Sequence, residues 1–268
     1  MPYDIDSPYS LTEASIRSFQ ANGFVKLKDV LSPESITHYG REITRKVVEL
    51  NTMHLPMAER TTYQKAFLQI MNLWQQGGDC REFVFGRRLA RLAAQLMGTH
   101  GVRLYHDQAL YKEAGGGFTP WHADQFYWPL ASEKCCTVWI PLQRTTLDMG
   151  PLAFAARSHR FAVGRDLPIS DASEAEIEKA LTRQNFPYAN EPFDLGEVSF
   201  HYGWTFHRAD GNTTDTPRHV MTIISMDADM VLKSPENPNQ EADWHTWCPG
   251  ARVGYVIDTP LNPVLYAA

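Results

Sequence analysis

Cysteine is scarce in this chain: 268 residues carry four, Cys80, Cys135, Cys136 and Cys248, with no C-x-x-C spacing among them. That pattern excludes a disulfide framework and a thiolate zinc site. Cys135 and Cys136 are neighbours in a strand-like run, so they point to opposite faces, and all four read as small buried hydrophobes. Long apolar runs are missing as well. Those around Cys135–Leu142 and Met221–Met226 fall far short of the ~20 residues that span a bilayer. Excess positive charge is absent: Lys and Arg number 25 against 31 Asp and Glu, a net −6. Nucleic acid and anionic membrane surfaces therefore have no compositional support as partners. The first residues, Met1 to Asp6, are acidic and lack the basic and apolar regions of a secretory leader. The expectation is a soluble, cytoplasmic protein with ample chain to bury a core without a structural metal.

What is present divides at about residue 100. The first part reads as helical. Ser10-Leu-Thr-Glu13 has capping-box spacing ahead of Ile16 and Phe19, and Gly23 stands where that helix would stop. Phe24–Val30 reads as a short strand. Ser32-Pro33-Glu34 then opens a helix over Glu34–Leu50 with Ile36, Tyr39, Ile43 and Val47 on one face. Further helices are predicted over Tyr63–Trp74 and Asp79–Met97, the last stopped by Gly98. Beyond Gly101 the period changes to two. Val102–Lys112, Pro120–Trp128, Thr137–Leu142, Val198–His201 and Val220–Met226 read as strands, with a helix and loop inserted over Asp166–Glu191. Helices followed by many short strands predict an α+β fold, a sandwich or barrel supported by helices on one side. One domain over 1–268 is expected: helical support over 1–100, a β core over 101–232 with an insertion near 160–195, and a tail over 233–268.

Ten histidines need sorting. His122-Ala-Asp124 stands out, because residues i and i+2 of a strand share a face and can aim at one point. An imidazole and a carboxylate so placed are two members of the facial triad that holds non-haem iron and leaves open positions. Alone the pair is weak, since composition supplies about 0.6 such pairs by accident. Its surroundings add weight. Gly115-Gly-Gly117 and Pro120-Trp121 precede it, Phe126, Tyr127 and Trp128 follow it, and far downstream come His207 and, eleven residues on, Arg218. A third ligand distant in sequence suits a sandwich, and an arginine in the same pocket can clamp a carboxylate through two parallel hydrogen bonds.

Taken together, Pro120-Trp-His-Ala-Asp124, Tyr127-Trp128-Pro129, Gly150-Pro-Leu152 through Ser158-His159, and His207 with Arg218 resemble the phytanoyl-CoA dioxygenase family. Leu11–Leu31 and Pro249–Tyr266 extend the resemblance over nearly the whole chain. It implies an Fe(II)- and 2-oxoglutarate-dependent oxygenase that uses O2, built on a double-stranded β-helix of the jelly-roll, cupin-like type. It also implies that His122, Asp124 and His207 ligate the iron and that Arg218 pairs with the distal carboxylate of 2-oxoglutarate. Trp139 and Gln108 would lie against the cosubstrate. Phe126, Tyr127, Trp128 and Trp204 would wall the substrate. Asp124 argues against halogenation, because related halogenases replace the carboxylate with a small residue. Ala209 departs from the family, which often carries a serine two residues after the distal histidine.

Plainer readings stand beside these. Gly115-Gly-Gly117 lacks a following G-K-[ST] and reads as a turn, not a phosphate loop. His159 reads as a turn former, and His201 and His219 as core or supporting histidines. The same ligands would also serve a catalytically silent cupin-like binder or a zinc hydrolase; neither needs Arg218. The expected partner is a small organic molecule, specialised or lipid-like, and its C–H bond would be hydroxylated, with desaturation, epimerisation and cyclisation open. Oligomeric state is left open too. Arg87, Arg88 and Arg91 form the only compact basic cluster available to the phosphates of an acyl-CoA.

Overall fold

Hydroxyl caps start the first helices of the N-terminal part. In the computed structural model, which describes residues 3–268, Thr12 accepts the Ser15 N–H at the head of α1 (Glu13–Asn22), and Gly23 ends it in the left-handed region at φ 85°. The cap lies two residues beyond the expected Ser10. Ser32 accepts the Ser35 N–H at the head of α2 (Pro33–Leu50), whose Ile36, Tyr39, Ile43 and Val47 are buried along one stripe. Met1 and Pro2, where the acidic N-terminal stretch begins, lie outside the described residues.

Two helical expectations break. Tyr63–Trp74 divides into α3 (Thr62–Ala66), an extended Phe67, and strand β2 (Leu68–Met71), because β2 finds a partner in the edge of the long strand β3 (Gly101–Tyr111). Pairing there satisfies backbone groups that a further helical turn would otherwise have held. Asp79–Met97 is two helices, α4 (Gly78–Val84) and α5 (Arg87–Met97), parted at Phe85-Gly86. Gly86 sits against Ile5 so closely that a Cβ would meet its side chain at 3.0 Å.

The strands form two antiparallel sheets. The larger runs β1 (Phe24–Leu27), β8 (Val198–Tyr202), β5 (Cys135–Pro141), β10 (Val220–Asp227), β3 and β11 (Val264–Ala267), with β2 added to β3. The smaller runs β4 (Thr119–His122), β9 (His207–Ala209), β6 (Leu152–Ala155) and β7 (Tyr188–Ala189). Between β6 and β7 the chain makes the inserted α6 (Asp171–Arg183).

Alternation along the large sheet sorts its two faces. Val138, Ile140, Val198, Phe200, Met221 and Ile223 point to the helices and join the main core with Phe83, Leu92 and Leu96. The intervening Thr137, Trp139, His201 and Thr222 point towards the small sheet. Each fully buried Leu, Ile or Phe on the helix side contributes about 1.5–3 kcal/mol. The four cysteines are free thiols and buried. Among the described residues no helix is long and apolar enough to cross a membrane.

Candidate active site

Across the β4–β9 ladder His122 pairs with His207, so two imidazoles from strands 85 residues apart come side by side, ring centroids 4.1 Å apart. β4 ends at His122. Asp124 opens a single 3-10 turn over Asp124–Phe126, not the strand expected through Trp128. Ala123 remains extended between them, so both side chains still converge. Asp124 Oδ1 lies 3.6 Å from Nε2 of each histidine.

Hydrogen bonding leaves the right atoms free. His122 Nδ1 donates to Pro120 O at 2.7 Å and His207 Nδ1 donates to Thr205 O at 2.9 Å, which turns both Nε2 atoms towards Asp124. The other carboxylate oxygen, Oδ2, accepts from Thr137 Oγ1 at 3.1 Å and His201 Nε2 at 3.2 Å. Burial opposes ionisation of Asp124, but His207, His122 and His201 around it hold its carboxyl well below the usual range. Burial, with His122 and His201 adding to it and Asp124 and the Thr205 carbonyl opposing, drives His207 well below an ordinary imidazole. Three ligand atoms within 4.8 Å of one another and so oriented could hold a metal ion on one face.

These residues sit in a cavity of about 460 Å³ between the sheets. Arg218 lines one end, 1% exposed, beside the Trp139 ring at 5.4 Å. Its Nη1 donates to Gly150 O, its Nε has no partner, and no carboxylate pairs with it among the described residues. Burial pushes its pKa down to about 9. A buried guanidinium facing a cavity without a counter-charge is costly unless an anion fills the place. Lys112, whose backbone bridges that of Arg218, donates to the carbonyls of Gly117 and Asp210; burial, Arg218 adding to it, takes its pKa to about 6.

Gln108 lines the cavity and accepts from Gln69 Nε2 through its Oε1, leaving its own amide N–H groups to the cavity. Tyr127 and Trp128 line it too. Phe126 and Trp204 do not: Phe126 packs edge-on to Tyr127, and Trp204 lies under the Arg165 guanidinium, 4.5 Å away. A 3-10 turn sends successive side chains in different directions, so adjacency to Asp124 did not put Phe126 on the wall. His219 stacks on Tyr111 and His159 on Tyr202, both away from the cavity. Sequence reasoning missed Tyr63, Phe67 and Gln69 from the α3–β2 segment, and Asp243 and Trp247 from α7 (Pro238–Trp247). None of these lies in a motif. Arg88 is no phosphate site: it is buried, ion-paired to Asp4, and bonds Ser7 O and Val30 O.

The family model for phytanoyl-CoA dioxygenase (PhyH) matches residues 19–220, three-quarters of the chain. The chain belongs to the phytanoyl-CoA dioxygenase family. A curated relative, the probable alpha-ketoglutarate-dependent hypophosphite dioxygenase of Stutzerimonas stutzeri, is 21% identical over 223 residues, covering 77% of this chain and 76% of its own. Among solved structures, the epimerase SnoN in complex with Fe3+, alpha ketoglutarate and nogalamycin RO superposes with a TM-score of 0.78 at 23% identity, covering 95% and 98% of the two chains. The carbocyclase SnoK from nogalamycin biosynthesis superposes at 0.76 and 22%, covering 96% and 99%. At that identity these two likenesses are likenesses of fold.

Proposed function

We propose that this chain is an Fe(II)- and 2-oxoglutarate-dependent dioxygenase that oxidises a C–H bond of a small organic molecule held between its two sheets. The observation that carries the reading is the pairing of a pre-oriented His122–Asp124–His207 site with an unpaired, buried Arg218 in the same cavity. A binding protein or a zinc hydrolase needs no guanidinium of that kind. The names of the relatives agree, since the Stutzerimonas protein is called alpha-ketoglutarate-dependent and the SnoN structure contains iron and alpha ketoglutarate. The two facing antiparallel sheets suit a jelly-roll, and the helices, sheets and tail suit one domain over 1–268.

In this reading His122 Nε2, Asp124 Oδ1 and His207 Nε2 hold the metal, and Arg218 holds the far carboxylate of the cosubstrate. When bound, Fe(II) with 2-oxoglutarate and O2 supplies a two-electron oxidation, releasing succinate and CO2. The protein's own work is placement. Thr137 and His201 fix Asp124 Oδ2, so that Oδ1 keeps its aim and the carboxylate presents one oxygen. The Gly150 carbonyl fixes Arg218, and Trp139 supports its plane. Ala209 removes the serine hydroxyl common in the family, but Thr119, its partner across the β4–β9 ladder, lines the cavity and sets a hydroxyl on the neighbouring strand. Tyr127 and Trp128 exclude water from the reacting bond. Hydroxylation is the simplest outcome; epimerisation or ring closure would need only a different fate for the same substrate carbon.

Anaerobic calorimetric titration of 2-oxoglutarate into the Fe(II)-loaded protein tests this. One equivalent should bind, and Arg218→Ala should weaken it by about a hundredfold or more while iron is retained, since a buried charge loses its partner. Arg218→Lys should rescue only part, because an ammonium cannot match two carboxylate oxygens at once. Absence of binding to iron-loaded protein would contradict the proposal.

A further inference from the structure

The end of the cavity away from Arg218 holds a second carboxylate that the reaction does not use. Along β3, His106, Gln108 and Leu110 line the cavity in turn, with Lys112 and the Arg218 bridge beyond Leu110, and Asp243 lies at the His106 end. α7 brings it there. The helix is docked by Gln240 Nε2 and Asn237 Nδ2, which both donate to Phe126 O at 3.0 and 3.4 Å, on the turn that carries Asp124. Asp243 and Trp247, four apart, then share the inward face.

A bulge in β3 completes the placement. Ile224 pairs with His106 but Ser225 pairs with Leu104, so Tyr105 is the extra residue. Its ring and that of His106 lie 5.1 Å apart, both against Trp128, and the Tyr105 hydroxyl donates to Asp243 Oδ2 at 3.2 Å. The groups that bear on Asp243 besides burial are this hydroxyl and the Trp247 indole, both neutral. The lining contains no lysine, and its one arginine is at the far end. His106 offers no counter-charge, since burial takes its pKa to about 3. Of the aromatic lining, Tyr63, Tyr127 and Trp247 bear on Asp243 directly, and Trp128 packs on the Tyr105 ring whose hydroxyl bonds it. The Tyr63 hydroxyl is already given to Gln69 and the Tyr127 hydroxyl already accepts the Ile169 N–H.

We propose that Asp243 and the aromatic rings beside it form a recognition site for a positively charged nitrogen, so that the substrate is an amine-bearing or quaternary-ammonium molecule with an apolar body. The proposal rests on the dioxygenase reading for the role of the cavity and adds the substrate class. A carboxylate without a cationic partner gains most from a cation that arrives with the ligand, and ring faces attract the same charge. An apolar or polycyclic body is compatible with this site; a wholly neutral lipid would leave Asp243 uncompensated.

The test titrates 2-phenylethylammonium and its neutral counterpart 2-phenylethanol into the anaerobic Fe(II)- and 2-oxoglutarate-loaded protein at about pH 8, read by calorimetry and tryptophan fluorescence. The ammonium should bind about tenfold or more tighter than the alcohol. Asp243→Asn should abolish that preference without changing alcohol binding, and Asp243→Glu should keep part of it. Equal binding of the two probes, no saturable binding of the ammonium, or a preference that survives Asp243→Asn would overturn the proposal. The 2-oxoglutarate titration on the same samples reports the dioxygenase reading separately. If cosubstrate binds and the ammonium shows no preference, only the substrate class falls. If cosubstrate fails to bind and the ammonium preference still depends on Asp243, the reaction falls and the cation site stands.

Discussion

At the scale of single residues, orientation is fixed by bonds that never reach the cavity. His122 and His207 each spend Nδ1 on a carbonyl two residues back in the chain, and this makes Nε2 the available ligand atom. Arg218 is fixed in the same way by Gly150 O. Gly150 is left-handed at φ 67°, and a Cβ there would lie 2.0 Å from Asp210 O, so the turn cannot take alanine without moving. Gly150→Ala should therefore lower the melting temperature and also weaken 2-oxoglutarate binding about tenfold, by displacing the carbonyl that aims the guanidinium, with iron stoichiometry unchanged. Calorimetry checks this; a lowered melting temperature with unaltered cosubstrate affinity would show that Gly150 only shapes the turn. That His122, Asp124, His207 and Arg218 meet in one cavity was legible only through the family pattern of motifs that carries them, since His122-Ala-Asp124 alone is weak and the other two lie far downstream. Phe126 and Trp204 show the limit of that pattern, since nearness in sequence does not specify side-chain direction where the strand gives way to a turn. Asp243 and Tyr63 carried no pattern at all.

At the scale of elements, amphipathic period two was a sound guide and helical period was not always so. β3, β5, β8 and β10 alternate between the helix-facing core and the cavity as their sequences imply. Leu68–Met71 was readable as helix because its apolar spacing fits either state, and only the free edge of β3 decides it. α7 is an element whose value lies in what it brings, and its carboxylate costs stability. Burial raises Asp243 from 3.8 to about 7, with hydrogen bonds from Tyr105 and Trp247 opposing. Between these values the unfolded chain has released the proton that the folded chain still holds. Asp243 thus lowers stability progressively as pH rises from about 4 to about 7, and by a constant amount above. Asp243→Asn should accordingly melt close to wild type near pH 4 and be more stable near pH 8, by on the order of 1 kcal/mol. Denaturant unfolding at the two pH values measures it; a variant less stable than wild type at the higher pH would contradict the assigned burial.

At the scale of the whole molecule, α1, α2, α4 and α5 pack one face of the large sheet, and that leaves its other face free to meet the small sheet across a cavity. Arg218 and Asp243 mark the two ends of that cavity, with the His122–Asp124–His207 group on its wall. The α+β order of helices before strands was readable from the change of period near residue 101. The insertion of α6 within the small sheet was readable as a break between strands. The return of β11 to β3, and of β1 and β2 to the large sheet, was not, because such long-range pairing leaves no local mark. In the proposed reaction one cavity brings a facial iron site and a dicarboxylate clamp together so that 2-oxoglutarate chelates the metal. The most direct measurement is anaerobic visible spectroscopy while 2-oxoglutarate is added to the Fe(II)-loaded protein. A weak metal-to-ligand charge-transfer band should appear, saturate at one equivalent and be absent in His207→Ala; no band from wild-type protein with stoichiometric iron bound would rule out chelation of the metal by the cosubstrate.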